Sequence, residues 1–151
     1  MTPPRRFLRS VRLLAQCYQG FERLSGRHVR ALGLTPAQFD IVATLGNTEG
    51  MSFRALGEQT LITKGTLTGV VDRLEMRGVI ERRASRTDGR STVVALTDAG
   101  RRLFEKVFPE HVAYCARAFS GWREDDFTRL DAELARLRET LAPAALRARP
   151  A

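Results

Sequence analysis

The sequence predicts a mainly α fold carrying one small β-hairpin wing. Three observations carry that reading. Leu67, Val70, Val71 and Leu74 fall at i, i+3, i+4 and i+7, the spacing of one buried helix face. Two β-rich runs, residues 79–84 (VIERRA) and 91–96 (STVVAL), flank Asp88-Gly89, a strong short turn signal. Both ends of the chain carry apolar residues in alternating steps of four and three, the pattern of a heptad seam. A short helix from Ser52, a turn, a second helix and a hairpin, in that order, make a winged helix-turn-helix. It is set between long terminal helices.

Each element has a local reason. Residues 4–32 read as one helix whose seam is Phe7, Val11, Leu14, Tyr18, Phe21, Ser25, His28 and Leu32, ended by Gly33. Thr35-Pro36-Ala37-Gln38 opens the next: N-cap Thr, Pro at N1, Gln at N3 as a capping box, Leu34 stapled to Phe39. It runs to about Leu45. Ser52 starts the third, with Met51 and Leu56 as its staple. Thr63 is the expected N-cap of the fourth, with Ile62 and Leu67 as its staple. Thr97 caps a fifth helix from Asp98 toward Phe119, and Pro109 is expected to kink it. Glu124, Asp125 and Asp126 favour a helix start against the dipole. Phe127, Leu130, Leu134, Leu137 and Leu141 continue as a second seam.

Composition bounds the function. The chain has 151 residues, 43% hydrophobic and 28% charged, the make-up of a soluble globular domain with a real core. Two cysteines and two histidines, widely separated, offer neither a disulfide framework nor zinc-ligand spacing. No phosphate-cradling glycine loop follows a strand, and no nucleophile elbow occurs. The reading is therefore of no enzyme, no catalytic residues, no metal and no cofactor. No apolar run approaches the roughly 18 residues needed to span a bilayer. The basic start MTPPRRFLRS lacks the apolar core of a signal peptide, so a cytoplasmic location without membrane contact is expected.

Charge points to an anionic partner. Net charge is +8, and Lys64 and Lys106 are the only lysines. Arginine forks onto phosphates and guanines. Residues 1–34 carry seven Arg against Glu22, while residues 103–151 balance eight basic with eight acidic groups. The basic excess thus lies in the first helix and the winged segment, as a nucleic-acid footprint would require. The outward face of the fourth helix holds Gly65, Thr68, Gly69, Asp72 and Met76, flanked by Thr66 and Arg73. It is small and polar, which permits close approach to a base edge or phosphate. Lys64 sits in the first turn, where a cation opposes the helix dipole and a phosphate would relieve it. Arg82, Arg83, Arg86 and Arg90 crowd the hairpin and repel one another unless an anion is near. An Arg-tipped wing suits the negative potential of a narrow minor groove. Asp88 is expected to pair with a neighbouring arginine and fix the tip.

The recognition helix, Gly78-Val79-Ile80-Glu81-Arg82, Asp88-x-Arg90 and Leu96-Thr97-x-x-Gly100 together resemble the MarR family of bacterial regulators, most specifically over residues 35–100. The resemblance implies a homodimeric winged-helix regulator of transcription that binds double-stranded, pseudo-palindromic operator DNA. It implies a repressor released by a small ligand, aromatic or phenolic, or by cysteine oxidation. Residues 1–146 are then one domain. Residues 35–100 form the DNA-binding lobe, residues 1–34 and 101–146 a helical dimerisation lobe, and residues 147–151 a frayed tail. In this reading Lys64, Gly65, Thr66 and Thr68 read or approach base edges, and Thr63 at the helix head belongs to the DNA-binding set. Arg54, Arg73 and Arg77 grip phosphates, and Arg86 and Arg90 enter the minor groove. The family places its effector pocket between the dimerisation helices and the reading lobe, lined here by residues such as Phe21, His28, Phe39, Phe108 and His111; each such residue is more often plain core than a ligand contact. Cys17 is read first as a buried apolar cysteine and second as a redox site. It lies further along the first helix than the cysteine of hydroperoxide-sensing members. The alternative function is a winged-helix protein-interaction module, which would not need Lys64, Thr66, Thr68, Arg86 or Arg90.

Overall fold

A computed structural model describes residues 5–142. The chain divides after Cys115 into two compact units. The first holds α1 (Arg6–Ala31), α2 (Pro36–Leu45), β1 (Met51–Ser52), α3 (Phe53–Gln59), α4 (Lys64–Met76), β2 (Ile80–Ala84), β3 (Thr92–Leu96) and nearly all of α5 (Asp98–Ala116). The second holds a 3₁₀ turn (Arg117–Phe119) and α6 (Glu124–Leu141).

The core is built around α4. Leu67, Val71 and Leu74 are buried to 1% exposure or less, and Val70 to 4%. They meet Ile41, Val42 and Leu45 of α2, Leu56 of α3, Val94 and Leu96 of β3, and Phe104 of α5. The periodicity read from the sequence is thus the buried face. A fully buried Leu or Val contributes about 1.5–3 kcal/mol, so this one stripe holds helix, sheet and α5 together.

The capping signals fold as expected at α2 and α3. Thr35 Oγ1 accepts the Gln38 N–H at 3.1 Å and Gln38 Oε1 accepts the Thr35 N–H at 3.0 Å, closing the capping box. Ser52 Oγ accepts the Ala55 N–H. At α4 the expected cap is absent: Thr63 stands at the N-cap, but its hydroxyl donates to Thr66 Oγ1 instead of accepting a backbone N–H. The end of α4 is a Schellman motif. Gly78 takes φ +71, its N–H donates to Glu75 and the Val79 N–H to Leu74. An L side chain resists that φ, which is why glycine precedes the wing.

The sheet has three antiparallel strands in the order β1-β3-β2. β2 and β3 are the expected hairpin, with Arg82 opposite Val94 and Ile80 opposite Leu96. β1, two residues pairing Met51 with Val94 and Ser52 with Val93, is too short to show periodicity in sequence. The helix through Asp98 continues past Pro109 to Ala116 and changes there to a 3₁₀ turn. In the second unit Phe119, Trp122 and Phe127 pack ring to ring at 5.3–5.8 Å. Asp126 accepts the Arg123 N–H at 2.9 Å, and three carboxylates occupy the first turn of α6.

Although Ser25, His28, Leu32, Phe127 and Leu137 are half-buried, the other seam residues of the terminal helices are exposed in the single chain. On α1 they include Phe7 at 56%, Tyr18 at 49% and Phe21 at 46%; on α6, Leu130, Leu134 and Leu141.

The junction of wing and α5 is tight. Thr97 donates its N–H to the Val79 carbonyl at 3.1 Å and its hydroxyl to the Gly78 carbonyl at 2.5 Å, while Thr97 Oγ1 accepts the Gly100 N–H at 3.1 Å. A Cβ on Gly100 would stand 2.0 Å from the Val79 carbonyl oxygen, so helix and strand can meet only over a glycine. Gly100→Ala is therefore expected to cost about 2–4 kcal/mol, in the range of overpacked core sites. Urea denaturation measures this; a loss below about 0.5 kcal/mol would show that the backbone relaxes freely there.

Candidate nucleic-acid interface

Burial of one face of α4 turns the other outward. Lys64, Gly65, Thr66, Thr68, Asp72, Arg73 and Met76 are all exposed, and Thr63 stands exposed at the helix head. A Cβ built on Gly65 or Gly69 meets nothing within 4 Å. The fold therefore does not require glycine at either position.

The arginines sort into two groups. Arg82 reaches from β2 to α4, where its guanidinium bonds Asp72 at 2.6 Å and also Glu75. Its already high pKa is raised further, first by the bond to Asp72. Arg83 donates to the Glu49 carbonyl at 2.6 Å and faces Glu81 at 3.5 Å. Two of the four wing arginines are thus compensated by anions and a carbonyl of the protein itself. Arg77 lies near Gln38 Oε1 (3.3 Å) and the Gly33 carbonyl (3.5 Å), tying the end of α4 to the α1–α2 turn. Arg54 is exposed and paired with Glu58 one turn on. Lys64, Arg73, Arg86 and Arg90, by contrast, make no ion pair and no side-chain hydrogen bond among the described residues. They stand on α4 and the wing tip.

The tip is organised by Asp88, but not through an arginine side chain. Its carboxylate accepts the Arg90 backbone N–H at 3.1 Å and the Ser91 hydroxyl at 2.8 Å. These bonds, the Ser91 one first, hold its pKa below the ordinary carboxylate value. The turn closes with the Ser91 N–H on the Asp88 carbonyl and the Ser85 N–H on the Ser91 carbonyl. Asp88 therefore spends its oxygens on the loop and leaves the Arg86 and Arg90 guanidinia free.

A second cluster joins α1, α2 and α5. His28, Phe39, Phe108 and His111 lie together: Phe39 meets the His111 ring at 4.5 Å and Phe108 at 6.4 Å, and His28 stacks on His111 at 5.2 Å. Phe21 is exposed on α1 and makes no ring contact with this group among the described residues. Cys17, expected to be buried, is exposed, while Cys115 is half-buried with its Sγ 3.4 Å from His111 Nε2. Burial raises the Cys115 thiol pKa and so disfavours its thiolate. Neither cysteine is in a disulfide. Sequence reading missed the partners Asp72 and Glu75 of Arg82, and Ser25, Tyr114 and Cys115 around the histidines. Only the i, i+3 spacing of Asp72 and Glu75 hinted at a shared cation.

An exposed helix behind a helix-turn, flanked by a wing whose tip arginines are unpaired, defines a DNA-binding protein. Comparison with known proteins agrees. The MarR family profile matches residues 32–91. The chain is 30% identical over 121 residues to the uncharacterized HTH-type transcriptional regulator YkoM of Bacillus subtilis (strain 168), covering 80% of this chain and 79% of that one. It is 29% identical over 114 residues to the transcriptional regulator MhqR of the same organism, covering 76% and 79%. The crystal structure of AbsC, a MarR family regulator from Streptomyces coelicolor, superposes with a TM-score of 0.78 at 27% identity, over 87% and 91% of the two chains. The chain belongs to the MarR family: it is a DNA-binding transcriptional regulator and not an enzyme. No described helix is long and apolar enough to cross a membrane.

The Arg82 fork fixes the wing against α4, so Arg82→Met should weaken DNA binding by about tenfold although Arg82 need not touch DNA. The stability loss should stay near 1 kcal/mol, because the pair is partly exposed. Anisotropy titration and urea unfolding measure the two; unchanged affinity would mean that the wing is held without the fork.

Proposed function

We propose that the protein is a homodimeric repressor that binds a pseudo-palindromic operator in the cytoplasm and is released by a small aromatic or phenolic ligand. The observation that carries the DNA-reading part is where four cations without an ion pair among the described residues stand. Lys64 and Arg73 lie on the exposed face of α4, and Arg86 and Arg90 on the wing tip. Unpaired positive charge on a helix and a neighbouring arm matches phosphates flanking a major groove and the adjoining minor groove.

Lys64, Gly65, Thr66 and Thr68, with Thr63 at their head, are assigned to base edges. Arg73 and Arg54 are assigned to phosphates, and Arg86 and Arg90 to the minor groove. Arg77 ranks below them, since its guanidinium faces oxygens of the α1–α2 segment. The exposed seams of α1 and α6 support a two-fold dimer made by the terminal helices. Such a dimer presents its reading helices roughly 34 Å apart and requires half-site centres about 10 bp apart. The ring cluster of Phe39, Phe108, His28 and His111 supports an aromatic effector. Release by oxidation ranks second: Cys17 is exposed, but Cys115 is engaged with His111. If Cys17→Ser answers peroxide as the wild type does, that route is dead.

The functional reading is tested by fluorescence anisotropy on duplexes tiling the DNA beside the protein's own gene, with a scrambled duplex and a salt series as controls. Tight binding to one tile carrying an inverted repeat is expected. Weak and equal binding to every tile would move the protein-interaction reading to first place. On the operator so found, Thr68→Ala should relax sequence choice. Arg73→Ala should weaken every duplex and lower the salt slope by about one. Equal loss of discrimination from both would contradict this division of labour.

A further inference from the structure

Between α1 and α5 two histidines share one hydrogen bond. His28 Nδ1 and His111 Nδ1 are 3.0 Å apart. Ser25 Oγ is 3.0 Å from His111 Nε2, with Cys115 Sγ at 3.4 Å from the same nitrogen. Tyr114 stacks on His28 at 4.1 Å, and Glu110 Oε1 is 3.9 Å from His28 Nε2. The titratable groups around the pair are thus Glu110, Tyr114 and Cys115 of α5. α1 contributes the neutral Ser25, and α2 contributes Phe39, edge-on to His111.

A bond between two imidazole nitrogens needs one N–H and one bare nitrogen. At least one ring must therefore be neutral. His111 suits that role: it is 5% exposed, it faces no carboxylate, and its Nε2–H can donate to Ser25 while its Nδ1 accepts. His28 Nδ1 then supplies the N–H of the bridge, and Glu110 Oε1 stands 3.9 Å from its Nε2. When both rings are charged, two N–H groups face each other at the bridge and the bond becomes a repulsion.

Both helices lead into the DNA-reading lobe. α5 starts at the tight Thr97–Gly100 junction under the wing. α1 turns through Gly33 into α2, with the Arg77 guanidinium of α4 beside the Gly33 carbonyl. We propose that the His28–His111 bridge is a proton-released latch joining α1 to α5, so that acidification loosens these helices and weakens the grip on DNA. The DNA half of this proposal rests on the reading given under Proposed function.

The sign follows from burial. Desolvation, and next the facing His28 ring, hold the His111 pKa below its ordinary 6.5. The folded protein then binds that proton more weakly than the unfolded chain. The stability the neutral ring contributes is complete above pH 6.5 and is lost as pH falls below it, toward the lower folded value.

The experiment uses the full chain as wild type, His111→Gln and His28→Gln, at pH 7.5 and 5.5. It measures urea unfolding, anisotropy with the tightest-binding duplex from the tiling series, and imidazole ¹⁵N shifts of the wild type. Wild type is expected to lose stability on acidification and to bind about tenfold more weakly, within the usual range of coupling between sites. Both glutamine variants should show flattened profiles. The ¹⁵N shifts should report a neutral His111 with a bare Nδ1 at pH 7.5. Parallel pH profiles for wild type and variants would overturn the latch, as would a charged His111 at pH 7.5. Should a variant fail to fold, the wild-type ¹⁵N titration alone decides, because a bridge that persists with both rings charged is no latch. Absence of any preferred duplex at pH 7.5 overturns the DNA-reading role and the DNA half of the proposal, while the stability and NMR arms still judge the latch.

Discussion

Everything in the reading lobe depends on the burial of one stripe of α4. Leu67, Val70, Val71 and Leu74 are the floor on which α2, α3, the sheet and α5 are assembled. A helix fixed on one face is fixed in rotation, so Lys64, Thr66, Thr68 and Arg73 point outward because the leucines and valines point inward. The same burial that stabilises the domain thus sets which side chains of α4 face solvent. Rotating the helix by one residue would bury a threonine and expose a leucine, losing on both accounts.

Electrostatics then divides labour among residues of one type. Arg82, Arg83 and Arg77 serve the protein, each facing a carboxylate, a carbonyl or an amide oxygen. Arg73, Arg86 and Arg90 are left over. Asp88 is turned away from them by its bonds to the Arg90 N–H and the Ser91 hydroxyl. A carboxylate lies within two residues of the tip arginines without an ion pair to either among the described residues; its oxygens accept the Arg90 N–H and the Ser91 hydroxyl.

Much of this was legible in the sequence, where the signal was local. The α4 stripe, the Thr35/Gln38 box, the Asp88-Gly89 turn and the seams each rest on residues a few positions apart. Gly78 and Gly100 were visible as parts of a family pattern, and the structure supplies their reasons: a left-handed φ, and a carbonyl 2.0 Å from where a Cβ would stand. Contacts that close over longer stretches were not legible. Arg82 finds Asp72 and Glu75 across a turn, Arg77 finds Gln38 across two elements, and His28 finds His111 across 83 positions. Composition shows that charges are present, but not which of them are already spent. Thr63 stands at the N-cap without a side-chain bond to the backbone, its hydroxyl donating to Thr66.

Gly65 and Gly69 have a consequence for how such a regulator diversifies. Neither position is crowded and neither has a left-handed φ, so a side chain fits at either without disturbing the core. Replacing each glycine by alanine should strengthen the helix by about 1 kcal/mol. The two sites can therefore accept new side chains on α4 while the scaffold gains stability. A lineage carrying this helix can vary the helix surface at two positions, without first acquiring mutations elsewhere to keep the domain folded.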